Sequence, residues 1–249
     1  MQTKRRLNLL FIMAILASLF SNFTTSKEIT IGTVETSNRG FIDDYGQFQG
    51  SSYEIVNSIV SDAGFTYQNT LMPFGRVLRY LDTGEVSVAL LVPNEITNKV
   101  AIPIEYIRDV NFIVVGTKDT KIDSLNDING KSVGYLRLTP TATKALKDIK
   151  VMQVEGSKYT HMIEMLMRNR IDFLFGPESS IFWALRNLNY SHEDLSTPLL
   201  VHKLGMYLMY SREIADKQTM SALVSSAKKL KDNNTINNII IKYETPKYQ

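Results

Sequence analysis

Val86-Ser87-Val88-Ala89-Leu90-Leu91-Val92 is an almost uninterrupted apolar run, set between Gly84-Glu85 and Pro93-Asn94. Such a run belongs to a strand buried on both faces, and strands of that kind occur in parallel sheets covered by helices. Working back toward the N-terminus, Pro73 opens a helical pattern through Val77, Leu78 and Leu81 that ends at Gly84. Before it, residues 65–71 predict a strand, and residues 51–63 a helix whose stripe is Ile55, Val56, Ile59 and Val60, closed by Gly64. Residues 28–34 alternate with Ile29 and Ile31 on one side, as a strand does. The rhythm is β-α-β-α-β, the pattern of a mainly parallel α/β sheet.

A second such series starts after Tyr106. Strands are expected at 112–115, 132–136, 151–155 and 171–175, and helices at 140–147, 159–170 and 177–188. The tail returns to a strand at 206–210 and to helices that include 220–230 and 236–243. Two series joined by short connections predict two lobes, with a tail that packs back on the first and a cleft between them. Short-period repeats, low-complexity stretches and Pro- or Ser-rich linkers do not occur in the sequence.

Lys4, Arg5 and Arg6 precede an apolar run over residues 7–20, followed by Ser21, Thr24, Thr25 and Ser26. That arrangement predicts a cleavable export leader over residues 1–26 and a periplasmic destination, with an uncleaved anchor as the alternative. A chain without cysteine offers no lipobox and no disulfide. Removal of the leader takes the formal charge from +3 to zero. No basic, aromatic-interleaved patch remains to neutralise a series of phosphates, which argues against nucleic acid as a partner.

Several stretches, in their order and spacing, carry a resemblance. They are the opening strand with Gly50 ahead of the first helix, Pro73-Phe74-x-Arg76 leading into Leu81-x-x-Gly84-Glu85-Val86, and Ile96-Thr97-Asn98-Lys99. Ile122-x-Ser124-Leu125-x-Asp127-Ile128-x-Gly130-Lys131-Ser132-Val133-Gly134, Asn169-Arg170-Ile171-Asp172 and Ile240-Ile-Lys-Tyr243 complete the set. Along its whole length after the leader the chain resembles the family 3 solute-binding proteins, best known as receptors for polar amino acids in ABC uptake systems. The resemblance implies a two-lobed periplasmic-binding-protein-like fold of type II, each lobe a mainly parallel sheet flanked by helices. It places lobe one at 27–109 plus 204–249, lobe two at 110–203, and a two-strand hinge between them. Arg108-Asp109 and His202-Lys203 are the hinge candidates. The chain departs from the family where the ligand's head group is gripped. The Thr-x-x-Arg motif that holds an α-carboxylate ends here in Val100 after Thr97-Asn98-Lys99. The acidic residue that meets an α-amino group is replaced by Gly176-Pro177, with Glu178 the nearest carboxylate. Amino-acid specificity is therefore not carried over.

Ligands of open α/β sheets sit beyond the carboxyl ends of the strands. Thr139 suits the N-cap of the helix opening at Pro140, and Thr141 adds a hydroxyl, a combination able to hold an anion. Phe74 and Arg76 offer an aromatic face and a cation, and Phe41 is a candidate lid aromatic. Glu178 could meet an amine, while Asn94, Thr97 and Arg108 complete the candidate ligand-binding set. Each has a plainer role as core, cap or surface charge. His161, His192 and His202 have no metal-ligand spacing, and no catalytic or nucleotide-binding motif occurs, so no catalytic residue, metal or cofactor is assigned. The expected function is capture of a small polar molecule, amino-acid-like or an organic anion, by a monomer that serves a membrane permease or sensor. The alternatives are a dehydratase-like enzyme on the same scaffold and a sensory subunit without a transport role.

Overall fold

The structure, a computed structural model, describes residues 27–137 and 140–244, without the side chains of Pro140 and Thr143. The expected leader lies outside the described residues. The apolar run quoted first carries β5 (Val88–Leu91), and its side chains feed two layers in alternation: Val88 and Leu90 join one apolar cluster, Ala89 and Leu91 another. This is the expected strand buried on both faces.

Eight strands form one sheet in the order β4-β1-β5-β10-β6-β9-β7-β8. β1 (Glu28–Val34) pairs in parallel with β4 (Thr66–Met72) and with β5. At the other end β7 (Ser132–Leu136) pairs in parallel with β8 (Met152–Gly156) and β9 (Phe173–Pro177). Between the two parallel triplets run β6 (Ala101–Val115) and β10 (Leu199–Ser211), antiparallel to each other and to their outer neighbours. A small hairpin, β2 (Phe41–Ile42) with β3 (Phe48–Gln49), stands apart.

Both triplets end on the central ribbon. β5 stops at Leu91, opposite Tyr207, and β9 stops at Pro177, opposite Phe112. Between those points, residues 108–111 of β6 and 203–206 of β10 pair only with each other. The molecule is therefore two strands wide at its waist, and the hinge candidates meet there: Lys203 and Asp109 form an exposed ion pair at 2.9 Å. The layering differs on the two faces of the sheet. One cluster runs from Ile29 and Ile59 through Leu90, Phe112, Met206 and Phe175 to Val133 and Leu146. The opposite face carries separate clusters, around Val77 and Leu81 on one side and Met162, Leu166 and Leu185 on the other.

The central strands are far longer than the sequence predicts. Only 112–115 and 206–210 carry the apolar signal; the rest of β6 is buried only here and there, residues 199–205 of β10 are nowhere fully buried, and these stretches include Glu105, Arg108 and Lys203. Pro103 also argues against a strand, yet this stretch has β10 alone beside it, and proline is tolerated at such an edge. Pro73 and Pro177 sit just before the helices Phe74–Thr83 and Glu178–Asn187 rather than inside them.

Candidate functional site

Where the two triplets converge on the ribbon, a cavity of about 320 Å³ opens. One wall comes from the first triplet and its connections: Thr33, Val34, Glu35, Thr36, Arg39, Ser52, Phe74, Leu91 and Asn94. The facing wall comes from Leu136, Arg137, Thr141, Gly156, Ser157, Tyr159 and Pro177. Phe112 and Met206, both buried, form part of the floor. The groove thus separates Val92 from Leu136, at the carboxyl ends of strands from both halves.

The β1–helix connection is tied down residue by residue. Thr36 N–H donates to the Gly40 carbonyl (2.9 Å), and Arg39 N–H donates to that of Thr36 (3.0 Å). The Arg39 carbonyl in turn accepts from the N–H groups of Ser52 (3.0 Å) and Tyr53 (3.2 Å), in the open first turn of the helix Ser51–Asp62. Gly50 makes this approach possible. Its φ is 126°, and a Cβ there would stand 2.3 Å from the Arg39 carbonyl. The same loop reaches across the cleft: the Ser180 hydroxyl donates to Asn38 Oδ1 (3.3 Å), and the Phe41 ring lies 5.5 Å from that of Trp183.

Among the described residues the lining holds two cations, the exposed Arg137 and the buried Arg39. Arg39 is 9% exposed, and among the described residues neither Nε nor Nη2 finds an acceptor. Burial, with the charge of Arg108 added, pulls its pKa down to about 10; Glu244 and Tyr159 act weakly the other way. Burial raises the Tyr159 phenol, partly offset by the charge of Arg39. Nearby, Glu244 accepts two hydrogen bonds from Arg108, both at 2.6 Å, and a third from the Ser51 hydroxyl, also 2.6 Å. Burial pushes the Glu244 carboxyl up, but the charges of Arg108 and Arg39 and these hydrogen bonds leave it below the ordinary value of 4.5.

Of the candidate ligand residues, the structure brings Phe74, Asn94 and Thr141 to the cavity. The Asn94 side chain is already engaged in its own turn, accepting from Ile96 and Thr97 N–H and donating to the Val92 carbonyl. Thr97 is fully buried, its hydroxyl shared between Val92 and Asn94, and does not line the cavity. Arg108 is held by Glu244, and Glu178 accepts from the Asn111 amide at 2.9 Å. Phe41 packs on Trp183 and Tyr243, and Arg76 is exposed away from the lining. Thr139 lies outside the described residues. Val100, in place of the absent arginine, packs against an apolar cluster.

Arg39 was not among the candidates, though a signal was present. It is the sole cation between Lys27 and Arg76, and it follows the carboxyl end of the first strand. Phe112 and Met206 carry no such mark, because each reads as ordinary strand core.

No family model matches the chain, and no curated protein matches it. Solved structures do. The substrate-binding protein of an amino acid ABC transporter is 18% identical, with 88% of this chain and 100% of that one covered and a TM-score of 0.74. An ancestral arginine-binding protein bound to arginine is 18% identical, with coverage of 87% and 97% and a TM-score of 0.73. A histidine kinase sensor domain with similarity to periplasmic binding proteins is 15% identical, with coverage of 88% and 97% and a TM-score of 0.75. At such identities the likeness establishes the fold, which is the two-lobed periplasmic-binding-protein-like architecture.

Proposed function

We propose that this chain is an exported solute-binding protein that closes around a small polar molecule and presents the closed form, as a monomer, to a membrane permease or sensor. The lobes are residues 27–109 with 204–249 and residues 110–203, and the leader is residues 1–26. One observation carries the reading: a single cavity takes its walls from the strand ends of both halves, across a waist only two strands wide. A ligand that touches both walls binds the closed arrangement better than the open one, and this difference in affinity is what drives closure. Binding rather than catalysis fits the lining. Among the described residues it holds one carboxylate, the exposed Glu35, and no histidine, so Glu35 has neither a second carboxylate nor an imidazole to pair with for acid–base chemistry. Among those same residues no helix is long and apolar enough to cross a membrane. A sensor rather than a permease is a second reading, supported by the likeness to a kinase sensor domain.

The test is a thermal-shift screen of the purified chain against amino acids, organic acids, amines and sugars. A ligand that binds only the native state raises the midpoint by mass action, by about 2.7 kcal/mol of stability at one hundred times its Kd. Recovery of the ligand unchanged is the expected companion result. Conversion of the ligand, or no shift with any compound, would sink the reading.

A further inference from the structure

We propose that the Arg39 guanidinium is the anion anchor of the cleft, and that the cleft takes a small carboxylic acid with an apolar body and no amino group. This rests on the solute-binding reading above and narrows it to a ligand class.

The charges decide the first half. Two guanidiniums and one carboxylate interact here, and three hydrogen bonds of Glu244 go elsewhere than to Arg39: Oε2 accepts from Arg108 Nη1, and Oε1 accepts from Arg108 Nη2 and Ser51. None of these bonds comes from Arg39, whose Nε and Nη2 are buried and unmatched among the described residues. A buried cation without hydrogen-bonded counter-charge is unfavourable. A carboxylate seated on the fork would satisfy two N–H groups at once, in the planar geometry that arginine offers and lysine does not. The main chain beneath is already fixed by its bonds to Thr36, Ser52 and Tyr53, so little ordering remains to oppose binding.

The rest of the lining decides the second half. An α-ammonium group would need a buried acceptor of opposite charge. Glu35 is exposed, and Glu178 is engaged by Asn111 and lies outside the lining. Elsewhere in the lining, Phe74, Leu91, Phe112, Leu136 and Met206 offer apolar surface. The volume of about 320 Å³ falls at the small end of ligand sites.

Calorimetric titration of the full chain with benzoate and butyrate, against benzyl alcohol, butanol, phenylalanine and inorganic phosphate, tests this. At least one of the two carboxylates is expected to bind tenfold or more tightly than its neutral counterpart, and also more tightly than phenylalanine or phosphate. Arg39→Met should remove that preference, and Arg39→Lys should keep it at roughly tenfold weaker affinity. Without ligand, Arg39→Met should melt no lower than the unaltered chain, since it removes an uncompensated buried charge; the alcohol comparison needs no variant and stands whatever the variants do. Equal affinity for acid and alcohol, tighter binding of phenylalanine or phosphate, or undiminished carboxylate affinity in Arg39→Met overturns the anchor while leaving the cleft a binding site. A chain that responds to nothing here or in the wider screen loses the binding reading and the anchor together.

Discussion

The charge of Arg108 reaches Arg39, and the fold treats the two guanidiniums oppositely. Arg108 belongs to the waist, where Glu244, at the end of the last described helix, closes on it with two hydrogen bonds. Their side chains are 13% and 5% exposed, so the pair is an interior one. Arg39 belongs to the cleft and has no such partner among the described residues. The same chemical group is structural where a carboxylate of the chain meets it and available where none does. Residue type alone does not distinguish these uses; the satisfaction of the donors does.

The contrast can be broken most forcefully at the paired end. Glu244→Ala strands Arg108 in the interior, and removal of one member of a buried pair costs about 3–5 kcal/mol, measurable by urea unfolding. A loss under about 1 kcal/mol would mean that the two arginines are not so different after all. Acid sharpens the same comparison with a smaller effect. The Glu244 carboxyl is held below its ordinary 4.5, so the folded chain binds fewer protons there than the unfolded one. Its contribution is complete above that value and is lost as the pH falls below it toward the depressed folded-state value. Glu244→Gln should flatten this part of a stability–pH curve, and an unaltered slope would assign the acid sensitivity to other carboxylates. The smallest expected effect lies outside both regions. Arg76→Ala, on the exposed side of its helix, should change stability by less than about 0.5 kcal/mol and leave ligand affinity as it was.

Much of the architecture was readable in the sequence because burial leaves a periodic trace. Ile55, Val56, Ile59 and Val60 marked their helix, and the unbroken apolar residues of β5 announced a sheet covered on both faces. The waist left a weaker trace, since half of its side chains face water and Pro103 interrupts the pattern. The β2–β3 hairpin, with exposed Ile42, Tyr45 and Phe48, left almost none. Phe74, Asn94 and Thr141, expected from their chemistry and their place near turns that follow strands, do line the cavity. Arg108 and Glu178 stood out by charge but are engaged by Glu244 and Asn111, partners remote in sequence that only folding brings near. Arg39 is hidden for the converse reason, because nothing local in Asn38-Arg39-Gly40 tells that its Nε and Nη2 meet no acceptor among the described residues.

The apolar layer that passes unbroken beneath the waist, through Leu90, Phe112, Met206 and Phe175, has a bearing on how the molecule melts. Phe112 and Phe175 stack with centroids 6.0 Å apart, packing β6 against β9 on the second side of that layer. Neither half can lose its side of that layer without baring the other's, so the halves share one melting event instead of two independent ones. Calorimetry should record a single cooperative peak.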